Sequence, residues 1–109
     1  MIVLAFDCDG TLDFGNPAGP VKLSWLKKLD TSEGIAVVMV SPSAKGRGFV
    51  ERLDGDRLAN LNVVRRDWPE AVLYIYISDN NDEDLAWKAD FVHVHPKNFR
   101  LPETEVAKP

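Results

Sequence analysis

The chain has 109 residues, of which 45% are hydrophobic and 28% are charged, and its formal net charge is −4. These values predict a single soluble globular domain over residues 1–109 and exclude disordered and membrane-embedded proteins. The acidic balance argues against general nucleic-acid binding, which normally requires a basic face. A single cysteine, no signal-peptide pattern and no apolar stretch of membrane-spanning length together predict a cytoplasmic protein without disulfides.

Strand and helix patterns alternate along the chain. In order, they predict a strand at 2–6, a helix at 21–29, a strand at 35–40, a helix capped by Ser43 and closing near Gly55, a weaker helix at 57–61, a short strand at 62–64, a strand at 71–77, a helix at 82–89 and a strand at 91–94. The core therefore covers about 1–95, and residues 96–109 form a tail.

This alternation predicts an α/β fold of three-layer, Rossmann-like architecture, with a parallel sheet and helices on both faces. Ligands of such sheets collect where the strands end. Polar residues follow three of the predicted strands, namely Asp7 and Asp9, then Ser41, then Ser78, Asp79, Asp82 and Asp84. These side chains are expected to meet at one edge of the sheet.

The acidic residues at this edge predict a bound cation. Two carboxylates about 4 Å apart repel by roughly 4 kcal/mol at an effective dielectric constant of about 20. Asp79 adds a third charge to Asp7 and Asp9. Oxygen ligands without cysteine or paired histidine favour a hard ion, and Mg²⁺ is preferred over Ca²⁺.

The spacing of Asp7 and Asp9 suits two different catalytic roles for the two carboxylates. Residues i and i+2 at a strand end point to the same side, so both carboxylates face one pocket. One of them can attack a phosphorus atom, and the other can donate and then accept a proton. Gly10 permits a sharp exit from the strand, and Thr11 can hold a carboxylate or cap the turn. Both residues belong to the segment that is expected to bind the cofactor.

The segment Asp7-Cys8-Asp9-Gly10-Thr11-Leu12 after an apolar strand resembles motif I of the haloacid dehalogenase (HAD) superfamily, in its phosphatase form. The resemblance implies a phosphatase that hydrolyses phosphomonoesters through an aspartyl-phosphate on Asp7, with Asp9 as general acid and base. It also implies Mg²⁺ held by the Asp7 side chain, the Asp9 backbone carbonyl and an acidic residue of motif IV.

Two further motifs extend the resemblance over residues 1–95. Ser41 is similar to the motif II residue that holds the transferring phosphoryl group. Ser78-Asp79-x4-Asp84 is similar to motif IV, which implies that Asp79 reaches the metal and Asp84 supports it. Asp82 competes with Asp84 for the supporting role.

The basic residue of motif III has three candidates in the sequence: Lys45, Arg65 and Arg66. The segment SPSAKGRGFVERLD is similar to the motif II region of small phosphatases that act on the phosphorylated tail of RNA polymerase. In those proteins the motif III lysine falls near the positions of Arg65 and Arg66, so this pair is favoured over Lys45.

The chain has no room for a cap domain. Only 29 residues separate Thr11 from Ser41, and 23 separate Ser41 from Arg65. By analogy with the family, an open site takes phosphate on a macromolecule or uses an oligomeric partner as a lid. The expected partner is a phosphorylated substrate, either a small molecule or a macromolecule. Two alternatives stay open: a catalytically weak or silent Mg²⁺-binding module of the same fold, and a receiver-like phospho-aspartate signalling domain, for which Lys97 is the candidate lysine.

Overall fold

The computed structural model of the chain describes residues 1–40, 56–79 and 81–100. Its strands are β1 (Ile2–Phe6), β2 (Ile35–Met39), β3 (Leu73–Ile77) and β4 (Val92–Val94), and its helices are α1 (Leu23–Asp30), α2 (Arg57–Asp67) and α3 (Glu83–Lys88), with a 3-10 helix at Pro96–Asn98. The four strands form one all-parallel sheet in the order β2-β1-β3-β4. The predicted α/β class is confirmed, while the predicted helix at 43–55 lies outside the described residues.

Strand β1 lies inside the sheet because its residues are apolar on both faces. Val3 and Ala5 point to one face, and Leu4 and Phe6 point to the other. Phe6 is level with the last residue of β2 and with the last residue of β3. The strands therefore end together at one side of the sheet, which we call the carboxyl edge.

Helices cover both faces of the sheet. On the face of Leu4 and Phe6, α1 contributes Leu26 and Leu29 to the buried core. On the opposite face, α2 contributes Leu61 and Val64, α3 contributes Ala86, and the residue after α3, Ala89, is also buried there. Burying one such leucine contributes about 1.5–3 kcal/mol, so each helix is fixed mainly by its apolar stripe. Within the described ranges, no helix is both long enough and apolar enough to cross a membrane.

Helix α2 differs from the sequence-based expectation. A single helix replaces the predicted helix at 57–61 and strand at 62–64, and that strand prediction is wrong. Asp56 caps the helix by accepting a hydrogen bond from the N–H of Ala59 at 2.7 Å. Leu61 and Val64, three residues apart, both face the core. This packing outweighs the strand preference of the adjacent valines.

Helix α1 begins two residues later than predicted, at Leu23. Val21 is fully buried and forms an isolated bridge with Leu12, so it belongs to the loop that follows β1. Asp13, in the same loop, accepts a hydrogen bond from the N–H of Leu23 at 3.2 Å. This carboxylate therefore caps the helix from a distant position in the chain.

Residues 96–100 pack against the sheet. The ring of Phe99 meets the ring of Phe6 edge to face, with 5.4 Å between centroids, and lies 6.4 Å from the ring of Trp25. Such aromatic pairs stabilise a structure beyond the area that they bury. The first part of the predicted tail thus joins the core on the side of α1.

We expect Phe99→Ala to lower the free energy of unfolding by about 2 kcal/mol, less than the roughly 3–5 kcal/mol of a fully buried phenylalanine. The reason is the loss of its contacts with Phe6 and Trp25. Urea unfolding followed by circular dichroism measures the change. Trp87→Ala is the matched control, because Trp87 is 78% exposed and its removal should have little effect. Equal losses in the two variants would contradict the packed position of Phe99.

Candidate active site

The register of the sheet brings the acidic residues of two segments to the carboxyl edge. The N–H of Asp7 donates to the carbonyl of Ile77 at 2.9 Å, so the chain leaves β1 directly beside the end of β3. Ser78 and Asp79 follow Ile77, and the N–H of Ser78 donates to the carbonyl of Val94. The expected meeting of these segments is therefore observed, while Ser41 and Lys45 lie outside the described residues.

The turn after β1 is shaped around the Asp79 side chain. The carbonyl of Cys8 accepts hydrogen bonds from the N–H groups of Thr11 and Leu12, which closes a tight turn. Gly10 has φ +75°, and a Cβ at this position would overlap the carboxylate of Asp79. Glycine is thus required both for the left-handed backbone and for the close approach. The hydroxyl oxygen of Thr11 accepts the N–H of Asp79 at 3.2 Å.

Asp9 is held by the loop that follows this turn. Its Oδ1 atom accepts a hydrogen bond from the N–H of Asn16 at 2.9 Å. The carbonyl of Pro17 accepts the N–H of Gly10 at 2.6 Å, which ties the same loop to the turn. Sequence patterns did not indicate the contact with Asn16, because it depends on how the loop folds back. The carboxylate of Asp9 is therefore positioned by backbone contacts.

The carboxyl group of Asp7 is buried, with 7% of the residue exposed. Burial raises the pKa of Asp7 above its ordinary value of 3.8, while the N–H of Cys8 and the charge of Arg57 lower it. The charges of Asp79 and Asp82 raise it further. The ionised form of Asp7 is therefore costly in this position, and additional positive charge would stabilise it.

Arg57 is the basic side chain that the described structure brings to Asp7. It is the first residue of α2, and its Nη1 atom lies 2.8 Å from Oδ2 of Asp82. Burial lowers the pKa of Arg57, but Asp82, Tyr76 and Asp7 outweigh this effect and raise it. The guanidinium group thus remains charged beside the nucleophile candidate.

Sequence reasoning missed Arg57, although the signal was present. In a right-handed β-α-β unit the helix runs back along the sheet, so its first residue lies at the carboxyl edge. Arg65 comes eight residues later, which corresponds to about 12 Å along the helix axis. A single predicted helix over 57–67, capped by Asp56, would have located Arg57 at the carboxyl edge of the sheet.

The two arginines favoured from sequence spacing lie elsewhere. The guanidinium group of Arg65 stacks over the ring of Tyr74 at 4.3 Å, and its Nη1 atom donates to the carbonyl of Asp90 at 3.4 Å. Arg66 is exposed. Tyr74 is level with Val3 of β1, three residues before the strand ends. The structure therefore does not bring Arg65 to Asp7.

Of the two candidate supporting acids, Asp82 lies at the carboxyl edge. Its Oδ2 atom accepts the hydroxyl of Ser78 at 2.6 Å as well as the guanidinium of Arg57, and only 6% of the residue is exposed. Asp84 is exposed in the first turn of α3. The described contacts thus connect Asp82, and not Asp84, to the site.

The ability of this edge to hold a metal rests on few side chains. Among the described residues, no three His, Cys, Asp or Glu side chains gather into a ligand set. Two carboxylates and a backbone carbonyl nevertheless suit Mg²⁺, which retains several water ligands. The Oδ1 atom of Asp79 is buried and, within the described ranges, has no hydrogen-bond partner. A buried oxygen without a partner is costly, and a cation would satisfy it.

The chain matches no model of a known protein family, no curated protein and no solved structure with which it was compared. Its function is therefore inferred from the residues of the site and from their resemblance to the motifs described above.

We expect Asp7→Asn to raise the melting temperature of the metal-free protein at pH 7. The folded pKa of Asp7 is above the unfolded value, so ionising this carboxyl costs stability above the folded pKa and costs nothing below the unfolded one. Thermal unfolding in the presence of a chelator measures the change. A difference of 1 kcal/mol moves the melting temperature of such a domain by about 4–8 °C.

The gain from Asp7→Asn should shrink as the pH falls from the raised pKa of folded Asp7 towards 3.8, and it should be absent below 3.8, where the carboxyl is protonated in both states. Asp67→Asn is the control, because Asp67 is exposed at the last residue of α2. A loss of stability in Asp7→Asn at neutral pH would contradict the buried, charge-destabilised position of Asp7.

Proposed function

We propose that the protein is a Mg²⁺-dependent phosphatase of the HAD superfamily that hydrolyses phosphomonoesters through an aspartyl-phosphate on Asp7. The observation that carries the proposal is the buried Asp7 carboxyl at the carboxyl edge, beside Arg57 and Asp79. A group of this kind is unstable as an isolated anion and is suited to meet a cation and a phosphoryl group.

The reaction uses Asp7 as the nucleophile. An oxygen of the Asp7 carboxylate attacks phosphorus, the bond between phosphorus and the ester oxygen breaks, and that oxygen leaves with a proton from Asp9. Asp9 then removes a proton from water, and the water oxygen attacks phosphorus. The bond between Asp7 and phosphorus breaks, which releases inorganic phosphate and restores the Asp7 carboxylate.

Contacts of Asp9 support its assignment as the proton-transferring group. The N–H of Asn16 holds one oxygen of its carboxylate, and Asp9 lies two residues after Asp7 and directly before Gly10. A proton-transferring group must keep a defined position relative to the reacting atoms. The loop anchored at Pro17 provides this position through backbone contacts.

The side chains of Asp7 and Asp79 and the carbonyl of Asp9 would hold Mg²⁺. When bound, the ion supplies positive charge that neutralises the phosphoryl oxygens. Thr11 and Gly10 act indirectly, because the hydroxyl of Thr11 and the open space at Gly10 keep the Asp79 carboxylate against the turn. Asp82 supports the site through Arg57 and Ser78.

Arg57 is our candidate for the motif III role, in place of Arg65, Arg66 or Lys45. Its charge acts on Asp7 and on Asp82, so it can balance the nucleophile and then the phosphoryl oxygens. Substrates are phosphorylated small molecules or macromolecules, because the family resemblance implies an open site without a cap. Ser41 remains the candidate for the contact with the transferring phosphoryl group.

One observation favours the alternative of a weak or silent Mg²⁺-binding module. Arg57 forms a 2.8 Å ion pair with Asp82, which reduces the positive charge available to a phosphoryl group. A module of this kind would bind Mg²⁺ and phosphate analogues without turnover. Phosphate release from a broad panel of phosphomonoesters distinguishes it from an active phosphatase.

We expect the purified protein to release phosphate from 4-nitrophenyl phosphate with Mg²⁺ and not with a chelator, and Asp7→Asn to abolish this release. The amide keeps the shape of the side chain but cannot attack phosphorus. Asp67→Asn should retain the rate, since Asp67 lies at the opposite end of α2. Unchanged turnover in Asp7→Asn would refute the assigned nucleophile.

We expect Arg57→Met to lower kcat/KM by about a hundredfold, the loss that follows removal of one transition-state donor. Arg65→Met should change it much less, because Arg65 stacks on Tyr74. Steady-state kinetics on both variants, with circular dichroism to confirm folding, makes the comparison. A greater loss in Arg65→Met would restore the candidate indicated by sequence spacing.

A further inference from the structure

An open cavity of about 450 Å³ lies beside the proposed phosphate site, at the ends of β3 and β4. Asp79 belongs to both the cavity and the proposed phosphate site. Its carboxylate lies against the backbone of Gly10, and the same residue lines the cavity. A phosphate ester bound at Asp7 therefore has an open volume on the far side of Asp79.

Most of the described residues that line this cavity are of polar type, and none of them is Lys or Arg. The lining includes two amides, Asn81 and Asn98, and two carboxylates, Asp79 and Glu83. Val94 is the single aliphatic residue of this lining. A leaving group with a second phosphate or a carboxylate would be repelled by the two carboxylates of this lining.

The imidazole rings of His93 and His95 give the cavity both a hydrogen-bond donor and a hydrogen-bond acceptor. The Nε2 atom of His93 lies 3.1 Å from the carbonyl of Ser78, which can only accept, so Nε2 carries the proton and Nδ1 is the acceptor nitrogen of the neutral ring. The Nδ1 atom of His95 accepts the N–H of Lys97 at 3.2 Å, so its Nε2 is a donor in the neutral ring. Both histidines line the cavity.

We propose that this cavity binds the leaving group of the substrate, and that this group is a small, uncharged alcohol with several hydroxyls, such as a sugar or a polyol. The inference rests on the proposed phosphatase function. A hydroxyl both donates and accepts, so it can pair with carboxylates, amides and imidazoles alike. The volume lies in the lower part of the range of about 300–1,000 Å³ that is typical of small-molecule sites.

The test compares kcat/KM for glycerol phosphate and glucose 6-phosphate with kcat/KM for 3-phosphoglycerate, whose leaving group carries a carboxylate, and for a phosphoserine peptide. The value of kcat/KM for each polyol phosphate should exceed that for each comparison substrate by at least about tenfold.

Variants of the lining test the same inference. Asn98→Leu and Glu83→Ala should lower the ratio of kcat/KM for a polyol phosphate to kcat/KM for 4-nitrophenyl phosphate by about three- to tenfold, the effect of one lost hydrogen bond. Lys97→Ala is the control and should keep the ratio, because Lys97 is exposed and absent from the described lining.

A second measurement does not depend on turnover. Glycerol or glucose titrated into ¹⁵N-labelled protein should shift the amide signals of Asn81, His95 and Asn98, and Asn98→Leu should weaken this response. If 4-nitrophenyl phosphate is hydrolysed but polyols show neither preference nor shifts, the inference is overturned and the phosphatase stands. If no phosphate ester is hydrolysed, the proposed function fails, and the titration alone decides whether the cavity binds polyols. Preference for the phosphoserine peptide would overturn the inference in favour of a macromolecular substrate.

Discussion

The site depends on one physical constraint, which is the burial of the Asp7 carboxyl at the point where β1 leaves the sheet. Parallel pairing makes β1 and β3 end at the same level, so Asp7 lies beside Ile77 and the acidic segment after it. Removing this carboxyl from water is costly, and Asp79 and Asp82 increase the cost. Arg57 offsets part of this cost, and we propose that a bound cation offsets the remainder.

The strands, the sheet and the acidic residues at its edge could be predicted from the sequence. Short apolar runs identified β1, β2, β3 and β4, because strands buried on both faces carry no alternating pattern. The rule that ligands collect at strand ends then brought Asp7 and Asp79 together. Gly10 was expected to permit a sharp turn, and the structure adds that it also makes room for Asp79.

The partners of these acids were not predicted, because they depend on helix ends and on loop paths. Arg57 was overlooked because residues 57–64 were divided into a weak helix and a short strand, so that one long helix starting at the carboxyl edge was not recognised. The choice between Asp82 and Asp84 depends on the point at which α3 begins, and helix ends are poorly encoded in sequence patterns. The contact of Asn16 with Asp9 arises from a loop that folds back on itself.

A crystal structure with Mg²⁺ and beryllium fluoride, which imitates a phosphoryl group on a carboxylate, tests the central claim most directly. The account predicts beryllium bonded to an oxygen of Asp7, with Mg²⁺ between Asp7, the carbonyl of Asp9 and the Oδ1 atom of Asp79. The guanidinium group of Arg57 should face the fluorine atoms. Crystals in which Asp7 carries no beryllium and Asp79 contacts no metal at saturating concentrations would contradict the account.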